Sequence, residues 1–170
     1  MNPTLCLLRY WLAWATFLLL TGCGFHFRGS PELPFTSLYV VTTEYSSFAA
    51  ELKRFLASGK KGNVVERAED AEVTLEILRE GSEKQVLSLS TAGRVREFEL
   101  RYRIFYRLTD RSKREWIAPT ELLLRRDLTF DDRELLAKEN EEMLLLRDMK
   151  NDAMRLILRR LSKAKPPAAT

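Results

Sequence analysis

The clearest pattern in the chain is an alternation of apolar and charged residues over positions 97 to 108. Every even position there is apolar, and every odd position except 105 is charged. The apolar positions are Phe98, Leu100, Tyr102, Ile104, Tyr106 and Leu108. A period of two is typical of a β-strand that buries one face and exposes the other. The pattern therefore predicts a long strand with one charged face.

A second long strand is predicted from Trp116 to Phe130, where apolar residues again share one parity. The polar stretch between the two strands, residues 109–115, predicts a turn. Pro119 predicts a bulge or an edge position, because proline lacks the N–H that pairs neighbouring strands. A hairpin of this length could project beyond the body of the sheet.

Three shorter strands are predicted before this hairpin. β-Branched and aromatic residues at 37–41 predict the first, and the alternation of Val73, Leu75 and Ile77 predicts the second. Gly81 and Ser82 predict a turn after it. Residues 86–89 predict a third strand, which ends near residues 91–93.

Two helices are predicted from apolar residues spaced three and four positions apart. The first runs from a serine cap at position 46 or 47 to about Ala57, and the second runs from a cap at Asp131 or Asp132 to about Leu161. The order β-α-β-β-β-β-α predicts an α+β two-layer sandwich. It has a small mixed or antiparallel sheet, with both helices packed on one face.

The first 22 residues differ from the rest, with one charged residue, Arg9, and an apolar run at 11–20. A short apolar run that ends in small residues predicts a secretory signal peptide, and it is too short for a comfortable membrane-spanning helix. A signal anchor, the alternative, would also place the domain across the membrane. We expect a signal peptide over residues 1–22, a lipidated tether over 23–36, one domain over 37–162 and a disordered tail over 163–170.

Cys23 would be the only cysteine of the mature chain, since Cys6 lies in the removed segment. One thiol cannot form an internal disulfide, and Cys23 with His26 supplies too few ligands for a metal site. A nucleophilic thiol needs a base on a rigid scaffold, so covalent attachment remains. The segment 20–23, Leu-Thr-Gly-Cys, resembles a bacterial lipobox, which implies cleavage before Cys23 and its acylation. A plain signal peptide with an incidental cysteine is the alternative.

The net charge of the mature chain is small, but its positive charges are clustered. Lys and Arg number 28 and Asp and Glu 24, so loss of Arg9 with the signal peptide leaves 27 minus 24, or +3. Arginines on or near the strand at 97–108 are Arg94, Arg96, Arg101, Arg103 and Arg107. Either they pair with Glu97 and Glu99, or they form a rigid basic surface that binds phosphates. For an exported protein, such a surface favours an anionic lipid or saccharide phosphate over nucleic acid.

The sequence lacks the residue patterns of an enzyme. It has one histidine, no Gly-x-Ser-x-Gly segment and no glycine-rich phosphate loop after a strand. The acidic pairs at 131–132 and 141–142 are interpreted as a helix cap and a solvated helix face. We therefore expect a binding protein with no enzymatic activity, no metal site and no cofactor.

Three segments of the chain point to a known family: GCGFHFRG at 22–29, EFELRYRI at 97–104 and LLAKENEEMLLLRDM at 135–149. Together they resemble the LptE family of lipopolysaccharide-assembly outer-membrane lipoproteins. The resemblance implies a stable complex with the outer-membrane β-barrel LptD, in which the family member is a plug, binds lipopolysaccharide and assists barrel assembly. It also implies a lipid anchor in the outer membrane of a Gram-negative bacterium, and Gly24 after the cysteine resembles the outer-membrane case.

The resemblance also implies which residues bind lipopolysaccharide. Lys138 matches the family's lysine at the start of the last helix. Thr91 lies near the position of the family's basic residue in the turn before the central strand, and Arg94 lies close by. We therefore expect Lys138, Arg94 and Arg96 to bind the phosphates of lipopolysaccharide.

Two other functions stay open at this point. The first is a pilotin-like or general periplasmic chaperone lipoprotein for another outer-membrane barrel or secretin. The second is a lipid-anchored enzyme, for which no set of residues indicates a reaction. The identity of a co-purified β-barrel distinguishes the chaperone from the LptD partner.

Overall fold

The computed structural model describes residues 33–42, 45–58 and 63–167, and short 3-10 turns occur there at Ala68–Asp70 and Asp132–Glu134. The strands and α-helices are β1 (Ser37–Thr42), α1 (Ser47–Ser58), β2 (Asn63–Val64), β3 (Val73–Leu89), β4 (Val95–Asp110), β5 (Glu115–Thr129) and α2 (Leu135–Leu161). The predicted signal peptide, Cys23 and His26 lie outside the described residues.

The five strands form one mixed sheet in the order β2-β1-β3-β4-β5. β1 is parallel to both β2 and β3, whereas β3, β4 and β5 are antiparallel neighbours. Parallel neighbours need a crossover connection, and α1 lies within the one that follows β1. The predicted α+β class with a mixed sheet is confirmed, and β5, which contains Pro119, is an edge strand.

The even-numbered residues of β4 form the centre of the core, as the alternation predicts. Leu100, Tyr102, Ile104, Tyr106 and Leu108 are all buried. Residues of both helices belong to the same apolar cluster, among them Phe48 and Leu52 of α1 and Met149 and Ile157 of α2. The sheet therefore packs against both helices in a two-layer sandwich. The apolar face of the sheet and the apolar faces of the two helices exclude water from one another.

Polar side chains at the predicted positions start both helices. The Ser46 hydroxyl accepts a hydrogen bond from the N–H of Ala49 at 3.0 Å. The Asp131 carboxylate accepts one from the N–H of Arg133, also at 3.0 Å, and this residue precedes the 3-10 turn that leads into α2. Within the residues that the structure describes, neither helix is long and apolar enough to cross a membrane.

The predicted turn at Gly81 and Ser82 is wrong. β3 runs without interruption from residue 73 to 89, and within it Gly81 pairs with Arg103 of β4. A register shift between Ile77 and Arg79 marks a bulge, and most side chains beyond it are exposed. Beyond the bulge, the alternation of apolar and polar residues disappears because the strand has left the core. The hydrogen bonds between β3 and β4 nevertheless continue.

The predicted strand at 86–89 is the end of β3 rather than a separate element. The order β-α-β-β-β-β-α is nevertheless retained. The number of strands is unchanged because the structure has a two-residue strand, β2, that was not predicted. β2 pairs with β1 and lies between α1 and β3 in the sequence.

Two residues that flank positions 37–162 are also buried. Phe35 lies before β1, and its ring meets the ring of Trp116 edge-on with 6.3 Å between the centroids. Ala164 lies just after α2 and belongs to the core cluster.

Candidate functional site

Three arginines of β4 are paired with carboxylates on the face of the sheet opposite the helices. The pairs are Arg107–Glu76 at 2.7 Å, Arg103–Glu83 at 2.8 Å and Arg101–Glu99. These side chains follow the alternative in which strand arginines are paired, although Glu97 accepts a hydrogen bond from Ser88 instead. The three guanidiniums are therefore not free to act together as a basic surface.

The turn between β4 and β5 also uses its arginines internally. Arg111 donates to the carbonyl oxygen of Ala71 at 2.7 Å, and Arg114 donates to the Asp110 carboxylate at 2.8 Å. Desolvation acts to raise the pKa of Asp110, but the hydrogen bonds from the Arg114 N–H and guanidinium lower it below its usual value. Both arginines of the turn are thus engaged, Arg114 within the turn and Arg111 at Ala71, which precedes β3.

A different arrangement is found where the β3–β4 turn meets the connection between β5 and α2. Arg94 and Arg96 line one pocket there with Phe130, and the Phe130 N–H donates to the carbonyl oxygen of Arg96 at 2.8 Å. Both arginines are exposed, and neither side chain has a hydrogen bond or an ion pair within the described ranges. The structure therefore brings two of the three predicted site residues together, and in the part of the chain that it describes their guanidinium groups have no partner.

Lys138 lies in the first turn of α2 at the margin of the same region. Its ammonium donates to the Thr129 hydroxyl at 3.1 Å and to the Glu141 carboxylate at 2.9 Å, and only 15% of its side chain is exposed. Lys138 is close enough to Asp131, which lines the pocket, to contribute to lowering the pKa of that carboxyl. It adds positive charge near the pocket, while Thr129 and Glu141 engage two of its three N–H donors.

Arg133 is a residue of this pocket that the sequence reasoning missed. Its guanidinium holds the carboxylate of Asp131 with two hydrogen bonds, from Nε at 3.0 Å and from Nη2 at 2.6 Å. These bonds and the one from the Arg133 N–H lower the pKa of Asp131 to about 2, and the pKa of Arg133 is raised in return. The one feature of the sequence that could have indicated Arg133 is its position two residues after Asp131, a predicted helix cap.

A second polar cluster surrounds Glu80, where β3 passes the start of α1. Its carboxylate accepts hydrogen bonds from the hydroxyls of Ser46 (2.6 Å), Ser47 (3.2 Å) and Tyr102 (2.7 Å) and from the N–H of Phe48 (3.1 Å). These donors belong to the start of α1, to the residue before it and to β4. The cluster therefore joins elements of the fold, and we assign it a structural role.

In the described part of the chain, no group of three or more His, Cys, Asp or Glu side chains could hold a metal ion. The chemistry available at the pocket is the binding of an anion by arginine. A guanidinium donates two parallel hydrogen bonds to the oxygens of one phosphate or carboxylate group.

Comparison with known proteins places the chain among bacterial lipoproteins. A model of the LptE family, described as lipopolysaccharide-assembly, matches residues 35–161. The solution NMR structure of uncharacterized lipoprotein B from Nitrosomonas europaea is 41% identical, covers 82% of this chain and 90% of its own, and has a TM-score of 0.72. No curated protein matches the chain.

Two further solved structures are similar to the chain. Rare lipoprotein B from Shewanella oneidensis is 27% identical, with 75% of this chain and 95% of that chain covered and a TM-score of 0.65. A minor lipoprotein from Acinetobacter baumannii is 18% identical, with 79% and 99% covered and a TM-score of 0.62. At that identity, the similarity of the Acinetobacter protein concerns the fold alone.

Proposed function

The chain belongs to the LptE family of lipopolysaccharide-assembly lipoproteins, and from this premise we propose that it binds lipopolysaccharide as a lipid-anchored partner and plug of the LptD β-barrel. The binding proposal rests on one observation. Arg94 and Arg96 share a pocket and have no side-chain partner in the described part of the chain, whereas the arginines at 101, 103 and 107 are paired.

Phosphate groups on the glucosamine head of lipopolysaccharide suit this pocket chemically. A phosphate that meets Arg94 and Arg96 displaces no carboxylate of the described residues from them, so no hydrogen bond to such a carboxylate is lost in exchange for the new ones. Lys138 supplies further positive charge from the start of α2, where Thr129 and Glu141 hold its ammonium in place. We assign direct phosphate contact to Arg94 and Arg96 and an electrostatic contribution to Lys138.

Two features of the sheet support the proposal that the protein fills a barrel. β3, β4 and β5 have 17, 16 and 15 residues, which corresponds to about 50 Å of extended chain, longer than the roughly 30 Å of hydrocarbon in a bilayer. The open face of the sheet contains ion pairs between β3 and β4, and barrel interiors are polar. A long sheet whose open face is polar, and whose charged side chains pair with one another, suits such an interior.

The lipid anchor is proposed at Cys23 from the sequence alone. Acylation of the mature N-terminus would hold the protein stably, since more than one acyl chain is needed for lasting membrane attachment. Mass spectrometry of the protein from membranes should find Cys23 as a lipid-modified first residue. A mature chain that begins elsewhere, or that is unmodified at Cys23, would contradict the anchor.

Lipopolysaccharide binding is tested with the full-length protein in detergent. We expect Arg94→Gln with Arg96→Gln to weaken binding by at least about tenfold, because each arginine loses charge-assisted hydrogen bonds to phosphate. The control is Arg125→Gln, since Arg125 is an exposed arginine of β5 whose side chain also lacks a partner in the described ranges. Equal affinities of the double variant and the wild type would refute the site.

The partner is tested by affinity purification from detergent-solubilised outer membranes of the source bacterium. LptD is expected as the principal co-purified barrel in stable amounts. Recovery of a different barrel or of a secretin in its place would overturn the LptD assignment and favour a chaperone lipoprotein.

A further inference from the structure

The pocket that contains Arg94 and Arg96 has an arginine that is already occupied. Arg133 lines the same pocket, and 88% of its side chain is exposed even though its guanidinium is bound by Asp131. The pair lies within one short segment, the connection from β5 to α2, so it forms without any contribution from the rest of the fold. A third guanidinium therefore lines the same pocket as those of Arg94 and Arg96, but Asp131 binds it.

The contact between Arg133 and Asp131 has the geometry that a phosphate would use. Nε and Nη2 each donate to a different oxygen of the carboxylate, at 3.0 and 2.6 Å. A phosphate group offers the same pair of oxygens to a guanidinium and more negative charge. Ligand phosphate and the Asp131 carboxylate are thus alternative partners for one set of donors.

Because the Arg133–Asp131 pair is exposed, replacing Asp131 by a phosphate costs little free energy. Ion pairs at a protein surface contribute little to stability, because water and salt screen them. Asp131 is itself 37% exposed, so its carboxylate can be hydrated once it is released. It also keeps its hydrogen bond from the Arg133 N–H, which does not depend on the guanidinium.

We propose that Asp131 is a built-in competitor that occupies Arg133, and that a ligand phosphate displaces it and makes Arg133 the third phosphate-binding arginine of the pocket. The inference rests on the proposed function and names a further residue of the same site. It assigns Asp131 a role in limiting the affinity of the pocket for phosphate. A phosphate must displace Asp131 from Arg133 before it can bind all three arginines.

The variant that tests the role of Asp131 is Asp131→Asn. Asparagine is as good a helix-capping residue as aspartate, so the cap is kept while the ion pair with Arg133 is lost. The matched control is Asp132→Asn, because Asp132 lines the same pocket but has no ion pair among the described residues. Both variants remove one negative charge from the pocket, and only the first frees Arg133.

Binding of purified lipopolysaccharide to the full-length protein in detergent is measured for each variant. We expect Asp131→Asn to raise the affinity about two- to fivefold, which is the factor that corresponds to a surface ion pair. Asp132→Asn should raise it less, and Arg133→Gln should abolish the gain when it is combined with Asp131→Asn. Where Arg94→Gln with Arg96→Gln does weaken lipopolysaccharide binding, the inference is overturned by no gain from Asp131→Asn, by a gain equal to that of Asp132→Asn, or by a gain that survives Arg133→Gln.

A second measurement keeps this inference separate from the proposed function. Inorganic pyrophosphate is titrated into the protein while the Nε–Hε signals of its arginines are followed by NMR. The Arg133 signal should shift, and it should shift at lower pyrophosphate concentration in Asp131→Asn. If the Arg133 signal responds in this way but no variant alters lipopolysaccharide binding, the phosphate site stands and the proposed ligand fails. An Arg133 signal that does not respond would refute the site itself.

Discussion

Glu80 shows how one side chain can join three parts of the fold. Desolvation acts to raise the pKa of this carboxyl, but hydrogen bonds from Ser46, Tyr102 and the Phe48 N–H, with the nearby Lys150, lower it below its usual value. Burial and the negative charge of Glu80 raise the pKa of Tyr102 far above its usual range, so the phenol stays a donor. The charged form of Glu80 is thus the form that the fold requires.

Glu80→Gln should lower the free energy of unfolding at neutral pH by about 1–3 kcal/mol, because it replaces a carboxylate that accepts several hydrogen bonds. A lowered folded-state pKa stabilises the protein above the unfolded-state value near 4.5, and that contribution is lost as the pH falls through the folded-state pKa. The difference between variant and wild type should therefore shrink in acid.

Urea unfolding at neutral pH and at acidic pH measures this difference. Glu83→Gln is the control, since Glu83 lies on the same strand in an exposed pair with Arg103. A difference between Glu80→Gln and the wild type that stays constant with pH would show that the charge of Glu80 is unimportant.

Two glycines should respond to alanine in opposite directions. Gly81 lies inside β3, and a Cβ atom there would meet nothing within 4 Å, so Gly81→Ala should stabilise the fold by about 0.4–1 kcal/mol through the unfolded chain. Gly93 in the β3–β4 turn has φ of 75°, where alanine is strained, and Gly93→Ala should destabilise. Thermal unfolding of both variants tests this, and a destabilised Gly81→Ala would contradict it.

At the scale of elements, α2 consists of two unlike halves. Its buried residues all lie between Met149 and Leu161. In the first half, Leu136 and Met143 are 76% and 62% exposed. Lys84 of β3 attaches this half to the hairpin of β3 and β4, since it pairs with Glu142 at 2.5 Å and lies 4.3 Å from the centroid of the Phe98 ring. In the first half Leu145 and Leu146 pack only partly against the core, so this half is held less by apolar packing than the second.

Backbone amides of residues 139–148 should exchange hydrogen faster than those of residues 149–161, because local opening of the first half exposes less apolar surface than opening of the second half. Lys84→Gln should accelerate exchange in the first half and leave the second half unchanged. Hydrogen–deuterium exchange with mass spectrometry resolves the two segments. Equal protection of both halves in the wild type would show that the helix is stabilised as one unit.

At the scale of the whole molecule, stability and the proposed binding site lie in different regions. The core is formed where both helices cover the sheet, whereas β3 beyond the bulge is mostly exposed. Arg94, Arg96 and Arg133 are exposed and none belongs to the core cluster. Substitutions in the pocket should therefore change binding without unfolding the protein, which is the condition that the binding experiments need.

Ile157→Ala should lower the free energy of unfolding by about 2–5 kcal/mol, because Ile157 is fully buried and its removal leaves a cavity. Leu87→Ala, at a half-exposed site on the hairpin, should change it by no more than about 0.5 kcal/mol. Chemical denaturation compares the two. Comparable losses would mean that the hairpin contributes to stability as much as the core does.

The α+β class, both helices, the strand at 97–108 and the family could be predicted from the sequence. These features depend on local patterns, because the period of apolar residues records which face of an element meets the core. The family was instead recognised from the resemblance of short segments such as the one at 135–149, and a family model that matches residues 35–161 supports it. Two of the three candidate binding residues, Arg94 and Arg96, do share one pocket.

Only the tertiary structure decided which charges meet and where the strands end. Ser46 and Glu80 are 34 positions apart, and Arg107 meets Glu76 because of the register between β3 and β4. The uninterrupted β3 likewise depends on its pairing with β4, and the place of Arg133 depends on how β5 returns to the β3–β4 turn. A local pattern specifies the buried face of each element, but contacts between polar side chains depend on register and on distant segments, which no local pattern records.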